Sequence, residues 1–483
     1  MGPTDEQRQA TSQDTVWSPD WTINQIPDEV LLEIFDSYRQ AIDSYDRQWR
    51  WKCIWFSLAH VCRKWRAVVF ASASRLDLGI PVGPDKPRHI KTILSGSLPI
   101  LVNYRCRYRD ITGSALWRMR AALKHHDRVR GISFEGSGAN FDKFIKATNF
   151  PFPLLESLSL RLRYGDKQKL PDTFLRGPDL SDLHLQRLKL MRVSLTSISG
   201  FLLSATALIH LTLLIDTAFA PSSETSLLAC LQGMPSLRHL KLTISSRLPS
   251  QPSTPKDIVP LSKLSSFRYV GHSVFLDTLM AGLSAPSLRH VGIRFFGRMW
   301  LPTVHFPRFI NEMKERYHAV HVSFQTRVFR LSLLTQSECI SRCEPRFNLG
   351  PFLRRSPVSI IRMSAALSMK FTTVEELRFA LDGTYDNVFE NFITWRRFLQ
   401  QFPSVKGLKA IRTKGADNYH IARILNQDHG NPDELSFLPV LEEIDLGEKP
   451  IDESQCRSQL AAFEPFVSAR QQAGRPVNVF FRP

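Results

Sequence analysis

The feature that most limits what this chain can fold into is a short phrase, Leu-x-x-Leu-x-Leu, that returns at near-constant intervals. It reads Val129-x-x-Ile132-x-Phe134, Leu155-x-x-Leu158-x-Leu160, Leu180-x-x-Leu183-x-Leu185 and Leu208-x-x-Leu211-x-Leu213. It continues as Leu237-x-x-Leu240-x-Leu242, Leu264-x-x-Phe267-x-Tyr269 and Leu288-x-x-Val291-x-Ile293. Successive first positions lie 24 to 29 residues apart. The alternating end of each phrase predicts a strand with two apolar side chains on one face, and 195–205, 226–231 and 274–283 between phrases have helical spacing. One such strand is not stable alone, whereas stacking units side by side builds a parallel ladder over a shared core.

That period is the one of leucine-rich repeats. Beyond Ile293 the pattern loosens. Tyr317-x-x-Val320-x-Val322 keeps the spacing, 328–334 is expected to pair with it as an irregular extra strand, and the phrase recovers at Val374, Val405 and Leu441. Those gaps of 57, 31 and 36 residues imply insertions or a degenerate unit near 357–363. The Ser- and Pro-rich stretch 245–260 is expected to be a mobile surface loop. Upstream, 76–80 alternates like a strand broken by Pro81, Gly83, Pro84 and Pro87; 98–104 is a second strand and 114–125 a helix. At the far end, 453–472 places Leu460, Phe463, Val467 and Arg470 at helical spacing. Gly474 then stops the helix before a strand at 477–481, forming a cap over the last repeat.

Ahead of the repeats, 26–70 holds a second pattern. Pro27 suits a first helical position and Asp28 and Glu29 a first turn, followed by an apolar face of Val30, Leu31, Ile34, Phe35 and Tyr38. Trp55, Leu58, Val61, Cys62, Trp65, Val68 and Val69 form another apolar stripe, with Arg63, Lys64 and Arg66 on its solvated flank. Two short helices cannot bury both faces on each other, and the surplus points to a partner. Ile26-Pro27-Asp28-Glu29-Val30-Leu31-Leu32-Glu33-Ile34-Phe35 and Val61-Cys62-Arg63-Lys64-Trp65-Arg66 resemble the opening and close of the F-box family, of a fungal F-box-like type. Ile26 stands where the family has Leu, and the link 39–51 is longer than usual. The resemblance implies that Ile26, Pro27, Val30, Leu31, Ile34, Phe35, Leu58, Val61, Cys62 and Trp65 pack on a Skp-type adaptor, tying the chain to a cullin ubiquitin ligase.

The expected fold is therefore α/β: a tail at 1–20, a helical F-box at 21–75, a connecting segment at 76–128 and a solenoid with parallel strands from 129 to 483. A net charge of +18 raises nucleic acid, an anionic membrane or an acidic partner as possibilities. The cations are scattered rather than clustered in a tail. Seven widely spaced cysteines, with only Cys339 and Cys343 close, suit reduced thiols in the cytoplasm or nucleus and no zinc site. The 1–20 stretch lacks the pattern of a secretory signal, and the longest apolar run, 201–215, is short of the roughly 20 residues needed to span a bilayer.

Catalytic phrases are missing: 136–138 lacks a third glycine, His125-His126-Asp127 reads as a loop, and no cofactor is expected. What the repeats offer is a face. Its outward positions are expected to be Ser159 and Arg161, His184 and Gln186, His210 and Thr212, His239 and Lys241, Gly292 and Arg294, Arg378, Lys409, then Glu443 and Asp445. Arg161, Lys241, Arg294, Arg378 and Lys409 are the candidate donors to an acidic or phosphorylated protein substrate. The expected function is substrate recognition within a ubiquitin ligase, without chemistry of its own. A non-catalytic scaffold and a basic nucleic-acid-binding solenoid are the alternatives, the latter disfavoured because aromatics do not alternate with the cations.

Overall fold

The computed structural model describes residues 25–43, 57–73, 75–76, 78–83, 98–105, 112–163, 170, 174, 184–193, 205–215, 224–244, 258–295, 305–313, 316–325, 328–335, 347–351, 368, 370–381, 392–412, 419–426, 437–450 and 452–482. Two helices open it, α1 (Asp28–Asp43) and α2 (Arg63–Ala71). There follow β1 (Ile80–Val82), β2 (Ile100–Arg105), α3 (Gly113–Leu123), β3 (Val129–Gly136), α4 (Gly138–Ala147), β4 (Ser157–Leu162), β5 (Arg187–Met191) and β6 (His210–Ile215). Next come α5 (Glu224–Gln232), β7 (His239–Ile244), β8 (Val259–Pro260), β9 (Ser266–Gly271), α6 (Ser273–Ala281), β10 (Leu283–Ser284), β11 (His290–Phe295) and α7 (His305–Asn311). The chain continues with β12 (Ala319–Gln325), β13 (Val328–Leu334), β14 (Phe347–Pro351), β15 (Glu376–Leu381), α8 (Phe392–Leu399), β16 (Gly407–Arg412) and α9 (Tyr419–Asn426). It closes with β17 (Glu443–Glu448), α10 (Glu453–Ala461), α11 (Glu464–Gln472) and β18 (Asn478–Arg482).

Among the described residues, sixteen strands form one sheet, ordered β1-β2-β3-β4-β5-β6-β7-β9-β11-β14-β13-β12-β15-β16-β17-β18. Neighbours are parallel except at β13, which runs antiparallel to both β12 and β14. The sheet is thus mostly parallel, and the irregular extra strand expected at 328–334 is β13, paired with β12. Only two residues separate β12 from β13, too few for a crossover, so the chain turns back as a hairpin. β14 then fills the slot beside β11; the degenerate unit expected at 357–363 lies outside the described residues. β8 and β10 make a small separate parallel pair, so residues 259–260, assigned to a loop in the sequence reading, are strand.

The repeat pattern sets the core. Leu158, Leu160, Leu188, Leu190, Leu211, Leu213, Leu240 and Leu242 are all buried in one continuous cluster with Phe267, Tyr269, Val291 and Ile293. At roughly 1.5 to 3 kcal/mol for each side chain removed from water, this repeated burial is what holds the ladder. Register is locked just before each strand, where one carbonyl accepts two successive N–H groups of the next unit. Glu156 O takes Gln186 and Arg187, Ile209 O takes Arg238 and His239, and Arg238 O takes Ser265 and Ser266, at 2.9 to 3.0 Å. The same device recurs late in the sheet, where Lys406 O accepts from Glu442 and Glu443.

Two strand assignments change. The phrase at Leu180 and Leu183 is out of frame, because the strand is Arg187–Met191 and its inward leucines are Leu188 and Leu190, partners of Leu158 and Leu160. Two overlapping leucine phrases occur in 180–190, and only pairing with β4 chooses between them. Likewise the strand expected at 76–80 starts only at Ile80: Leu76 and Leu78 enter the core of the helical hairpin, and β1 runs from Ile80 with Pro81 inside it. Proline fits there because β1 is an edge strand. β1 and β2 are thus the first strands of the sheet, which starts well before Val129. The expected helix at 195–205 falls almost wholly outside the described residues, as do the loop 245–257 and Cys339 and Cys343.

The cap is two helices rather than one. Pro465 sits at the start of α11, Phe463 is fully buried, and Arg470 is buried with its guanidinium donating to Leu438 O and Leu441 O at 3.2 and 3.0 Å. Leu460, expected inward, is exposed. Gly474 takes the left-handed conformation, φ 72°, that lets the chain turn into β18 beside β17. Among the described residues, no helix is long and apolar enough to cross a membrane.

Candidate functional site

Two surfaces carry the candidate residues, the helical hairpin and the outward side of the sheet. In the hairpin, α1 follows Pro27, whose carbonyl accepts from Leu31 N at 3.1 Å. The second apolar stripe is not one helix. The chain turns at His60 and Val61, and Cys62 restarts it as the cap of α2, with extended backbone and Sγ accepting from Trp65 N at 3.4 Å. Of the flanking cations, Lys64 folds back to donate to Ile26 O at 2.5 Å and lies 3.5 Å from Asp28, while Arg66 donates to Ala59 O at 2.9 Å. They pin the hairpin as well as solvate it.

The apolar residues expected to meet a partner divide into two sets. Leu31 and Phe35 are fully buried and Leu58 nearly so, in an inner cluster with Ala59, Val68, Val69, Leu76 and Leu78. Ile26 and Trp65 are half-buried against it, and Phe35 meets the Trp65 ring edge-on at 4.9 Å between centroids. Pro27, Val30, Ile34 and Val61 are exposed, the last three at 43%, 45% and 51%, with Tyr38 alongside; Cys62 is half-buried. The inner set holds the two helices together, and the outer set is the apolar surface left over. Helical spacing alone does not separate them, since positions 30 and 31 both fall on the broad apolar arc.

On the sheet, register sorts the outward residues into rows that cross the strands. The central row runs Ser133, Ser159, Lys189, Thr212, Lys241, Arg268 and Gly292. The row before it holds Ser157, Arg187, His210, His239, Ser266 and His290, and the row after it Glu135, Arg161, Met191, Leu214, Thr243, Val270 and Arg294. Beyond the insertion the central row resumes as His321, Arg378, Lys409 and Asp445. Of the five candidate donors, only Arg378 and Lys409 are neighbours. Arg161, Lys241 and Arg294 are spread over β4, β7 and β11, and Arg294 is one row off Lys241.

The donors also differ in what they already hold. Arg378 and Lys409 both bond the Glu376 carboxylate. Burial alone would raise the Glu376 pKa, and the hydrogen bonds from Lys409 and Arg378 more than reverse that, holding it below the usual carboxylate range. Arg161 lies 3.6 Å from Glu135. Lys241 and Arg294 are exposed and in no ion pair among the described residues. Asp445, expected on the open face, is buried, with Arg482 donating to its Oδ2 at 2.6 Å and Gly447 N to its Oδ1 at 2.9 Å.

His184 and Gln186 precede β5 instead of lying on it, and Arg187 and Lys189 take their places in the ladder. Those two cations were hidden by the frame error, whereas Arg268 occupies the same phrase position as Lys241 and was legible at Leu264-x-x-Phe267-x-Tyr269. His126, read as part of a loop, opens a short 3-10 turn, His126–Arg128, and its ring stacks on Phe150 at 5.5 Å between centroids. Among the described residues, no group of His, Cys, Asp and Glu could hold a metal ion.

Residues 23–74 match the model of the F-box-like family. No curated protein matches the chain. Among solved structures, the chain is similar to the leucine-rich repeat-containing protein LegL7 from Legionella pneumophila. The identity is 9%, over 84% of this chain and 91% of that one, with a TM-score of 0.24. The architecture rests on the strand register above, not on that likeness. The chain thus joins an F-box-like helical domain to a mostly parallel α/β repeat sheet.

Proposed function

We propose that this protein is the substrate-recognition subunit of a cullin-type ubiquitin ligase, with the hairpin seated on a Skp-type adaptor and the open strand face holding a protein substrate. The observation that carries this reading is the coincidence, within the F-box-like segment, of a filled inner core and an unfilled outer apolar set, Val30, Ile34 and Val61. F-box domains generally bind adaptors of that type, and a surface of large apolar side chains gains about 1.5 to 3 kcal/mol for each one it buries. Pro27 and Tyr38 extend the same surface. Leu31, Phe35 and Leu58 serve the contact by holding α1 against α2 and so fixing where the outer residues stand. The strand face supplies recognition and the protein supplies no chemistry; its place is the cytoplasm or nucleus, where the ligase works.

The test is the double change Val30→Asp and Ile34→Asp in the full chain. Adaptor and cullin should fail to co-purify while thermal unfolding stays at the wild-type temperature, because neither residue is in the inner core. Retention of the adaptor by that variant would sink the assignment. Leu31→Asp is the control that should unfold the hairpin itself.

A further inference from the structure

His210 and His239, on adjacent strands of the sheet, stack ring on ring with centroids 4.2 Å apart and planes 3° apart. Arg187 adjoins them on β5, and the row continues through Ser266 to His290. Arg238 and Arg268 stand beside the rings, and Lys189 and Lys241 occupy the next row. At the entry to these strands, where Ile209 and Arg238 precede the two histidines, lies a cleft of about 210 Å³ edged also by His184 and Lys263. Across 184–295 the only carboxylates among the described residues are Glu224 and Asp277. Both lie on helices, and Asp277 is spent accepting from His305 N and Phe306 N at the start of α7.

Two stacked rings among so many cations cannot both carry charge at neutral pH. Burial first, then His239, Arg187 and Arg238, lower the His210 pKa to about 4. Burial, His290, Arg238 and Arg268 lower that of His239. The rings are therefore neutral at rest, in a field that favours an anion and repels a metal ion. Beyond the Lys189 and Lys241 row, two rows from the rings, Met191, Leu214, Thr243 and Val270 are half-buried and largely apolar.

We propose that the strip from Arg187 to His290 binds an acidic peptide segment and takes up a proton at the His210–His239 stack as it does so. This deepens the reading of the strand face as the substrate surface and rests on it. The strip crosses five strands, β5, β6, β7, β9 and β11. At about 4.8 Å for each of the steps between them, that is roughly 19 Å, the span of about six extended residues. Alternating acidic and apolar side chains fit the cationic row and the apolar row together. No Trp, Tyr or Phe faces outward on these rows, so bases of a nucleic acid find no platform beyond a pair of rings already stacked on each other.

The linkage has a definite sign. A bound carboxylate offsets the guanidinium field and lets an imidazolium form, so the bound-state pKa lies above the free value. Affinity is then enhanced at low pH, and the enhancement fades as pH rises through the bound-state pKa. Restoring one ring to its ordinary pKa of about 6.5 makes binding about tenfold tighter at about pH 5.5 than at about pH 7.5.

The probe is a fluorescein-labelled peptide of about ten residues alternating Glu and Val, titrated onto the full chain carrying its adaptor, with an oligodeoxythymidine of similar charge in parallel. The expected result is about tenfold tighter peptide binding across that pH interval, with net proton uptake measured by calorimetry in two buffers of different ionisation enthalpy. A flat profile without proton uptake overturns the proposal, as does tighter binding of the oligonucleotide than of the peptide. His210→Asn with His239→Asn should flatten the profile; a profile that persists in the folded variant also overturns it. The calorimetry needs only wild-type protein, so a variant that fails to fold leaves the test intact. Adaptor retention, read on the same samples, reports separately on the ligase assignment.

Discussion

The open face of the sheet is cationic along most of its length, yet its two halves handle that charge in opposite ways. From β5 to β11 the outward rows carry Arg187, Lys189, Lys241, Arg268 and Arg294, and the strands carry no carboxylate at all. From β15 to β18 carboxylates stand among the cations: Glu376 serves Arg378 and Lys409, and Asp445 serves Arg482. The difference shows why a count of Lys and Arg says little about a surface. Charge available to a ligand depends on which row the carboxylates occupy. A glutamate two residues before Arg378 in β15 converts a pair of candidate donors into a structural knot, and no residue plays that part in β7.

The comparison predicts opposite consequences for mutation in the two halves. The largest effect should come from Lys241→Glu with Arg268→Glu, which replaces charge-assisted contacts worth roughly 1.5 to 3 kcal/mol each by repulsion. Acidic peptide binding should weaken about a hundredfold or more, with the unfolding temperature almost unmoved. Equal binding by the variant would erase the distinction between the halves.

Glu376→Ala should do the reverse. Removing the shared carboxylate leaves two half-buried cations without it and should cost about 1 to 3 kcal/mol of stability in chemical denaturation, with peptide binding at β5 to β11 unchanged. Acid provides a milder version. Because the Glu376 pKa is depressed in the folded state, its contribution is fully present above the unfolded-state value and is lost as pH falls through the folded one. Stability of the wild type should accordingly drop more steeply on acidification than that of Glu376→Gln, measured by unfolding midpoints across the acid range.

The smallest effect is expected from Lys409→Met, since Arg378 still bonds Glu376. A change of about 0 to 1 kcal/mol is anticipated, and raising the salt concentration should weaken peptide binding at β5 to β11 far more than it lowers the stability of this half-buried trio. A salt response of equal size in both would show that the late knot is as solvent-screened as the early strip.

Much of the fold was legible because its rules are local. Leu211, Leu213, Leu240 and Leu242 point inward by strand alternation alone, and α5 and α6 fall where helical spacing placed them. The frame of β5 was not legible: Leu180, Leu183 and Leu185 form as good a phrase as Leu185, Leu188 and Leu190, and the choice is made by Glu156 O accepting from Gln186 and Arg187 on a neighbouring strand. The site suffered the same ambiguity. Five donors were named by type and phase, but Arg187, Lys189 and the imidazole stack emerge only once β5, β6 and β7 are in register.

What the sequence by itself determined is the repeat, the sidedness of its strands and the amphipathic start of the hairpin, since each depends on the alternation of apolar and polar residues within a few positions. Tertiary structure decided the rest: which leucines of 180–190 face in, that β14 and β13 are inserted between β11 and β12, that Leu31 is core while Val30 is surface, and which cations stand beside a carboxylate. Apart from Glu376 beside Arg378 and the β12–β13–β14 pairings, these depend on groups more than twenty residues apart along the chain, whose pairing is selected by hydrogen-bond register and by the cost of burying an unmatched charge, and neither is written in a local window.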